Sequence, residues 1–145
     1  MSGPAGADEA ALIAAAREAA GNAYAPYSGF CVGAAVRAED GRVFTAANVE
    51  NASYGLSLCA ETAAMATAAA AGVRVITHIA VTAHKASAPH EAVIAMPCGR
   101  CRQVMAEFAG PSALVSVDRR GQAPLKRTLA ELLPDAFGPG AMAED

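Results

Sequence analysis

Three cysteines and one glutamate limit the folds open to this chain more than any other feature. Cys59 and Glu61 stand two residues apart, and Cys98 and Cys101 follow later in the segment Pro97-Cys98-Gly99-Arg100-Cys101. Three thiolates bind zinc well and leave a fourth tetrahedral position open for water, as catalytic zinc sites do. A fold for this chain must therefore bring two distant segments to one point.

The cysteines lie at predicted helix starts, where the backbone favours the thiolate form. Cys59 opens one predicted helix, and Cys98 and Cys101 occupy the first turn of another. The partial positive charge of a helix N-terminus lowers the pKa of a thiol. Glu61 reaches the same site only if Cys59 caps its helix, because residues two apart within a helix point to nearly opposite sides.

Each part of this pattern also has a simpler explanation. A Cys-x-x-Cys pair by itself is typical of thioredoxin-like redox proteins, or of a core of small residues. Glu61 could merely complement the helix dipole. Cys31 has no partner at metal-binding spacing. Cys-x-Glu together with Cys-x-x-Cys favours zinc over these alternatives.

Predicted strands and helices alternate along the chain, which indicates an α/β fold with helices on both faces of a sheet. We predict strands at Phe30–Arg37, Arg42–Ala47, Val75–Thr82, Ala92–Met96 and Leu114–Val117. We predict helices from Asp8 to Gly21 and at Cys59–Ala71, Cys98–Phe108 and Leu125–Leu133. Residues 1–7 and 138–145 are expected to be flexible tails around a single domain at 8–137.

Composition narrows the partners and the compartment. The 145 residues fit one domain, and the formal net charge is −3 without any block of basic residues. A nucleic-acid partner is disfavoured, because such binding needs a clustered positive surface. The chain shows neither a signal peptide nor an apolar segment long enough for a bilayer, so we expect a cytoplasmic protein with reduced cysteines and no membrane partner.

Five segments resemble the small homotetrameric zinc-dependent cytidine deaminases. They are Tyr27-Ser28-Gly29-Phe30, Asn48–Gly55, Cys59-Ala60-Glu61, Pro97–Gln103 and Leu132–Phe137, and they run in family order. The zinc segments are shared by the whole deaminase superfamily, whereas Asn48-x-Glu50 points to nucleosides. The resemblance implies a three-layer α/β/α fold with a mixed five-stranded sheet, Zn²⁺ as cofactor, and a homotetramer with sites at subunit boundaries.

The resemblance also implies a role for each matching residue. Cys59, Cys98 and Cys101 would bind zinc, and Glu61 would shuttle protons while a zinc-activated hydroxide attacks C4 of cytidine or 2′-deoxycytidine, releasing ammonia. The implied substrate contacts are Phe30 on the pyrimidine ring, Asn48 and Glu50 on the sugar (chiefly its 3′-hydroxyl), the Ala60 amide on the base edge, and Tyr54 and Phe137 at a neighbouring subunit's site. From the residues alone, these side chains could equally be core, turn or surface.

One position departs from the pattern of many members of this family. Thr62 follows Glu61, where an arginine that hydrogen-bonds the thiolates is common. Zinc with three thiolates carries a net negative charge, so a cation nearby would ease ionisation of bound water. Arg102, and secondarily Arg100, is the candidate for this charge compensation.

Three other functions compete with deamination of free cytidine. A related deaminase of a cytosine-nucleoside antibiotic (blasticidin-type) would share the zinc segments but need not share Asn48-x-Glu50. A structural zinc module without turnover would need four protein ligands, whereas this chain offers three cysteines and a carboxylate. A redox Cys-x-x-Cys protein would leave Cys59 and Glu61 without a purpose.

Overall fold

The computed structural model describes residues 5–142 and contains a five-stranded sheet between helices. The strands are β1 (Phe30–Ala38), β2 (Val43–Ala47), β3 (Ile76–Lys85), β4 (Ala109–Val117) and β5 (Leu125–Thr128). The helices are α1 (Ala5–Ala20), α2 (Ala60–Ala70), α3 (Gly99–Phe108) and α4 (Leu129–Leu132), with short 3-10 turns at Tyr54–Leu56 and Pro139–Ala141. The N-terminal helix thus begins inside the segment predicted as a tail, and residues 1–4 and 143–145 of the two predicted tails lie outside the described residues.

The sheet is mixed, and its strand order is β2-β1-β3-β4-β5. β1 pairs antiparallel with both β2 and β3, β3 pairs parallel with β4, and β4 pairs antiparallel with β5. Helix α1 packs on one face against Ala35 and Ala80, while α2, α3 and α4 cover the other face. The predicted three-layer α/β/α architecture is therefore confirmed.

The structure corrects two predicted elements at the edge of the fold. Residues 92–96 form no strand. One backbone hydrogen bond described for this segment joins it to β3, from the Val93 N–H to the Ala83 carbonyl oxygen (2.9 Å). The fifth strand is instead β5, which lies within the predicted helix Leu125–Leu133. Thr128 forms a capping box with Glu131, so the helix starts only after Thr128 and the preceding residues are free to pair with β4.

Gly33 sets the distance between α1 and the sheet. A Cβ atom at this position would lie 2.0 Å from the Ala16 carbonyl oxygen and 2.6 Å from the Ala20 amide nitrogen. Both are backbone atoms, so no side-chain rotation relieves the overlap. We expect Gly33→Ala to lower the free energy of unfolding by about 3 kcal/mol or more, measured by urea denaturation. Gly110→Ala, where a Cβ meets nothing within 4 Å, is the matched control; equal stability of the two variants would contradict this packing.

A buried carboxylate fastens α1 to the end of β4. Asp118 accepts hydrogen bonds from Arg17 Nε (2.7 Å) and Nη2 (2.8 Å), from the Thr82 hydroxyl (2.8 Å) and from the Arg120 N–H (2.9 Å). Burial alone would raise the pKa of Asp118, but these donors outweigh it and lower the pKa from 3.8 to about 2. The folded state therefore holds this group ionised at pH values where an unfolded chain binds a proton.

The expected consequence is an acid-sensitive contribution to stability. A group with a lowered pKa stabilises the fold above its ordinary pKa, and this stabilisation disappears as the pH falls from 3.8 to about 2. We expect Asp118→Asn to lower the free energy of unfolding by about 2 kcal/mol near pH 7, and by progressively less in acid. Asp40→Asn, which breaks an ion pair whose side chains are both half exposed, is the control and should change stability far less than Asp118→Asn does. A difference from the parent that does not change with pH would contradict the assignment.

None of the helices described between residues 5 and 142 is long and apolar enough to cross a membrane.

Candidate active site

Three cysteine sulfurs from two helix starts form a cluster on the face of the sheet covered by α2 and α3. Cys59 is the N-cap of α2, Cys98 is the N-cap of α3, and Cys101 lies in the first turn of α3. The three Sγ atoms all lie within 4.8 Å of one another, and those of Cys59 and Cys98 are 4.0 Å apart. Zn–S bonds of about 2.3 Å place two sulfurs of a tetrahedral centre a little under 4 Å apart, so the cluster fits Zn²⁺.

Glu61 lies beside this cluster because of the backbone at Cys59. The N-cap has an extended conformation (φ −73°, ψ 148°), so the helical spacing that would separate Cys59 from Glu61 has not yet begun. Both residues line the same cavity. Glu61 is buried, and this burial raises the pKa of its carboxyl group. Cys59 therefore caps its helix, which is the condition under which Glu61 can share a site with it.

Burial and hydrogen bonding separate the three thiols. Burial raises the pKa of Cys59 and that of Cys101. Burial also acts on Cys98, but the Cys101 N–H and the neighbouring thiols hydrogen-bond to its sulfur and hold the pKa below its ordinary value. Because metals bind the thiolate form, zinc binding at this cluster must release protons.

A cavity of about 520 Å³ opens directly onto Cys59, Cys98 and Glu61. A volume of this size is typical of a small-molecule binding site. Of the substrate contacts expected from the sequence, the cavity is lined by Phe30, Asn48, Glu50, Tyr54 and Ala60. Segments far apart in the chain thus meet in one concave site.

Phe137 lies elsewhere. It is 60% exposed and lines a separate cavity of about 360 Å³ with residues of α4 and the segment after it. The Gln103 side-chain amide donates to the Phe137 carbonyl oxygen (3.0 Å) and fastens this segment to α3. Within one chain, Phe137 does not reach the cavity at the cysteine cluster.

Asn48 and Glu50 have structural partners that the sequence does not reveal. The buried Asn48 side chain accepts from the Val32 N–H and donates to the Phe30 carbonyl oxygen, both at 2.9 Å, so it fixes the first residues of β1. The Glu50 carboxylate accepts from the N–H groups of Tyr27 and Ser28. Tyr27 and Ser28 also line the cavity, although the sequence motif that contains them suggested a role only for Phe30.

The arginines predicted to offset the thiolate charge make other contacts. Arg102 donates from Nε to the Pro97 carbonyl oxygen (2.7 Å) and from Nη1 to the Leu132 carbonyl oxygen (2.9 Å). It thereby holds the backbone before Cys98 against α4. Arg100 is exposed. Among the described residues, neither arginine has a hydrogen bond to a cysteine sulfur, so Arg102 contacts the ligand-bearing backbone rather than the thiolates.

Thr62 takes up the contact to a ligand sulfur. Its hydroxyl lies 3.3 Å from the Sγ atom of the buried Cys101. A metal-bound thiolate can only accept a hydrogen bond, so the hydroxyl is the donor when zinc is bound. Position 62 therefore offers the sulfur a neutral donor that brings no positive charge.

We expect Thr62→Val to weaken zinc binding about 10-fold, because loss of a partner to a metal ligand typically has an effect of this size. Competition with a chromophoric chelator measures the affinity. Thr62→Ser should bind zinc as the parent does. Thr67→Val is the control on the same helix, since the Thr67 hydroxyl donates to the Ala63 carbonyl oxygen (2.8 Å) and lies outside the cysteine cluster. Equal zinc affinity of Thr62→Val and the parent would contradict this role.

Comparisons with known proteins agree with this geometry. Residues 7–117 match the family model described as the cytidine and deoxycytidylate deaminase zinc-binding region. The chain is 47% identical to the cytidine deaminase of Mycobacterium tuberculosis over 124 residues, covering 85% of this chain and 84% of the relative. It is 44% identical to the cytidine deaminase of Halalkalibacterium halodurans over 131 residues, covering 90% and 94%.

Solved structures show the same likeness. The crystal structure of cytidine deaminase from Burkholderia pseudomallei superposes with a TM-score of 0.79 at 46% sequence identity. The match covers 88% of this chain and 98% of that one. The family match over residues 7–117 spans strands β1 to β4 and all three clustered cysteines.

Proposed function

Because the chain belongs to the cytidine and deoxycytidylate deaminase family, we propose that it hydrolyses cytidine and 2′-deoxycytidine to uridine and 2′-deoxyuridine, with release of ammonia. One observation carries this proposal: the three-sulfur cluster and the buried Glu61 open onto the same cavity as Phe30, Asn48 and Glu50. A metal centre, a proton-transfer group and a nucleoside-sized binding site thus coincide.

Zn²⁺ would be held by Cys59, Cys98 and Cys101, with no fourth metal-binding side chain grouped with them among the described residues. Bound zinc supplies a Lewis acid that lowers the pKa of a water molecule to about 7. Three ligands favour such an open catalytic site over a structural site, which is closed by four. This arrangement supports an enzyme rather than a zinc-stabilised binding module.

Glu61 would move the protons of the reaction. Its carboxylate takes a proton from the attacking water and delivers it to N3 of the pyrimidine as the C4–O bond forms. It then takes the remaining hydroxyl proton and passes it to the amino group, and the C4–N bond breaks to release ammonia. The buried position of Glu61 suits a group that must be both base and acid in one cycle, because burial disfavours permanent ionisation.

The rest of the cavity would hold the nucleoside. Phe30 packs against the pyrimidine ring, the Ala60 amide faces the polar edge of the base, and Glu50 accepts a hydrogen bond from a sugar hydroxyl. The Asn48 side chain keeps one amide hydrogen beyond its bond to Phe30 for the same sugar. A carboxylate at the sugar repels a phosphate, so free nucleosides are favoured over nucleotides and polynucleotides. The net charge of −3 likewise disfavours the binding of nucleic acids.

The chain is also proposed to act as a homotetramer in the cytoplasm. Tyr54, at the mouth of the cavity, is 75% exposed, and large apolar side chains around it (Tyr24, Val49, Leu56 and Leu58) are exposed too. Apolar surface of this kind is typical of an interface. Phe137 could then close a neighbouring subunit's cavity that it does not reach within its own chain. Light scattering that gives a monomer mass would contradict the assembly.

The cysteines support the proposed location in the cytoplasm. All four are unpaired, which suits a reducing compartment.

Loss of the cytosine absorbance on incubation with the zinc-loaded protein tests the function. We expect turnover of cytidine and 2′-deoxycytidine and none of a single-stranded oligonucleotide that contains cytosine. Efficient turnover of the oligonucleotide would contradict the proposed substrate class. Absence of turnover with either nucleoside would instead direct the search to antibiotic-type aminopyrimidine nucleosides.

A further inference from the structure

The loop before β1 holds the Glu50 carboxylate with three donors. Oε1 accepts from the N–H groups of Tyr27 (3.0 Å) and Ser28 (3.1 Å), and Oε2 accepts from the Ser28 hydroxyl. These bonds, the hydroxyl first, overcome desolvation and lower the pKa of Glu50. The group is therefore an ionised carboxylate that can only accept further hydrogen bonds.

The two oxygens of Glu50 are not equivalent. A carboxylate oxygen has two lone-pair positions, and both positions on Oε1 are filled by backbone donors. Oε2 receives only the Ser28 hydroxyl and keeps one position free. The free acceptor position for a sugar hydroxyl is therefore on Oε2, the oxygen that the Ser28 hydroxyl contacts.

Ser28 also connects this carboxylate to the ring-binding residue. Its Oγ atom accepts from the Phe30 N–H at 2.9 Å. Because an N–H can only donate and a carboxylate can only accept, the single hydroxyl proton of Ser28 has one place to go, toward Glu50. Gly29, at φ +68°, permits the turn that brings the Ser28 hydroxyl within hydrogen-bond distance of the Phe30 N–H.

Apart from the two backbone donors to Oε1, the Ser28 hydroxyl is the protein group that contacts the Glu50 carboxylate among the described residues. The Glu50 backbone N–H donates to the Tyr24 carbonyl oxygen (2.8 Å), but the carboxylate has no ion pair among the described residues. Loss of the Ser28 hydroxyl would leave Oε2 without a protein partner. Water would then compete for the oxygen that the substrate needs.

We propose that Ser28 is a positioning residue for sugar recognition, which aims Oε2 of Glu50 at the 3′-hydroxyl of the nucleoside while it anchors the backbone of Phe30. The inference rests on the proposed function, in which Glu50 binds the sugar. It makes the serine hydroxyl, rather than the carboxylate alone, a determinant of selectivity for a nucleoside that carries a 3′-hydroxyl.

Two substrates that differ only at the 3′ position test this inference. For Ser28→Ala we expect kcat/KM for 2′-deoxycytidine to fall about 10-fold, mainly through KM, as for loss of one hydrogen bond to a charged group. For 2′,3′-dideoxycytidine, which lacks the 3′-hydroxyl, kcat/KM should change less than about 2-fold. Ser28→Thr keeps the hydroxyl and should restore the selectivity. Ser53→Ala is the control, since Ser53 is exposed, lies outside the cavity lining and makes no side-chain cap bond.

The outcomes separate this inference from the proposed function. An equal loss on both substrates would show that the hydroxyl serves only the loop, and no loss on either would show that it is dispensable; both results would overturn the assignment. If the parent protein turns over neither substrate, the proposed function fails. Calorimetric affinities of parent and Ser28→Ala for 2′-deoxyuridine and 2′,3′-dideoxyuridine then decide the Ser28 assignment, which predicts weaker binding of the first alone.

Discussion

A Glu61→Gln variant is expected to retain its zinc and to lose about 10³-fold in kcat for cytidine, the size of a typical proton-transfer contribution. The amide has nearly the shape of the carboxylate but cannot take a proton from water or return one to the leaving amine. The metal should stay bound, because the three clustered ligands are cysteine sulfurs and do not include Glu61. Zinc content measured on the same sample as the kinetics distinguishes this result from loss of the metal.

The matched control for Glu61→Gln is Glu131→Gln. Like Glu61, Glu131 lies in the first turn of a helix, but it is exposed and its carboxylate caps α4. We expect the control to keep the activity of the parent with a small loss of stability. A zinc-loaded Glu61→Gln protein with near-normal kcat would rule out Glu61 as the proton shuttle.

Cys101→Ala is expected to bind zinc far more weakly than the parent and to lose all measurable turnover. Cys101 is the most deeply buried of the three sulfur ligands, and only two sulfurs would remain in the cluster. Because metal binding contributes to folding, the added stability that zinc gives the parent should also disappear. Thermal unfolding with and without zinc measures this difference directly.

Cys31→Ala serves as the control for Cys101→Ala. Cys31 is also a buried cysteine, but it lies in β1 outside the metal cluster. We expect it to keep full zinc content and the same stabilisation by zinc. A Cys101→Ala protein that still binds one zinc ion tightly would contradict the three-cysteine centre.

The cysteine cluster could be predicted from the sequence because the geometry within each of its two segments is local, and a zinc site requires the two segments to meet. Cys59 and Cys98 are each the last extended residue before a helix, and the same residues that start the helices orient the sulfurs. The structure confirms the condition that Cys59 is an N-cap, on which the placement of Glu61 depended. The helices on both faces of the sheet likewise follow from alternation of strands and helices along the chain. The mixed, five-stranded form of the sheet was instead implied by the resemblance to the family.

The edge of the sheet could not be predicted in the same way. Leu125–Thr128 is short and includes two charged residues, and it becomes a strand only because β4 offers it a partner. Residues 92–96 have strand-like composition, but the single bond described from Val93 to β3 does not make them a strand. Pairing between distant segments decided both cases, and it has no local signal.

The contacts of individual polar side chains were equally hidden. Arg102 reaches carbonyl oxygens of Pro97 and Leu132, and the second of these lies 30 residues away. The Ser28 to Glu50 bond spans 22 residues. Motifs identify which residues stand at the site, whereas the direction of each hydrogen bond depends on packing between elements.

The most direct test of a zinc-dependent cytidine deaminase is titration of metal-free protein with Zn²⁺ while the loss of cytidine absorbance is followed. We expect the rate to be negligible without zinc, to rise in proportion to the zinc added, and to stop rising when each chain holds one ion. Turnover that is undiminished in the metal-free protein, or absent from a protein with one zinc ion per chain, would contradict the assignment.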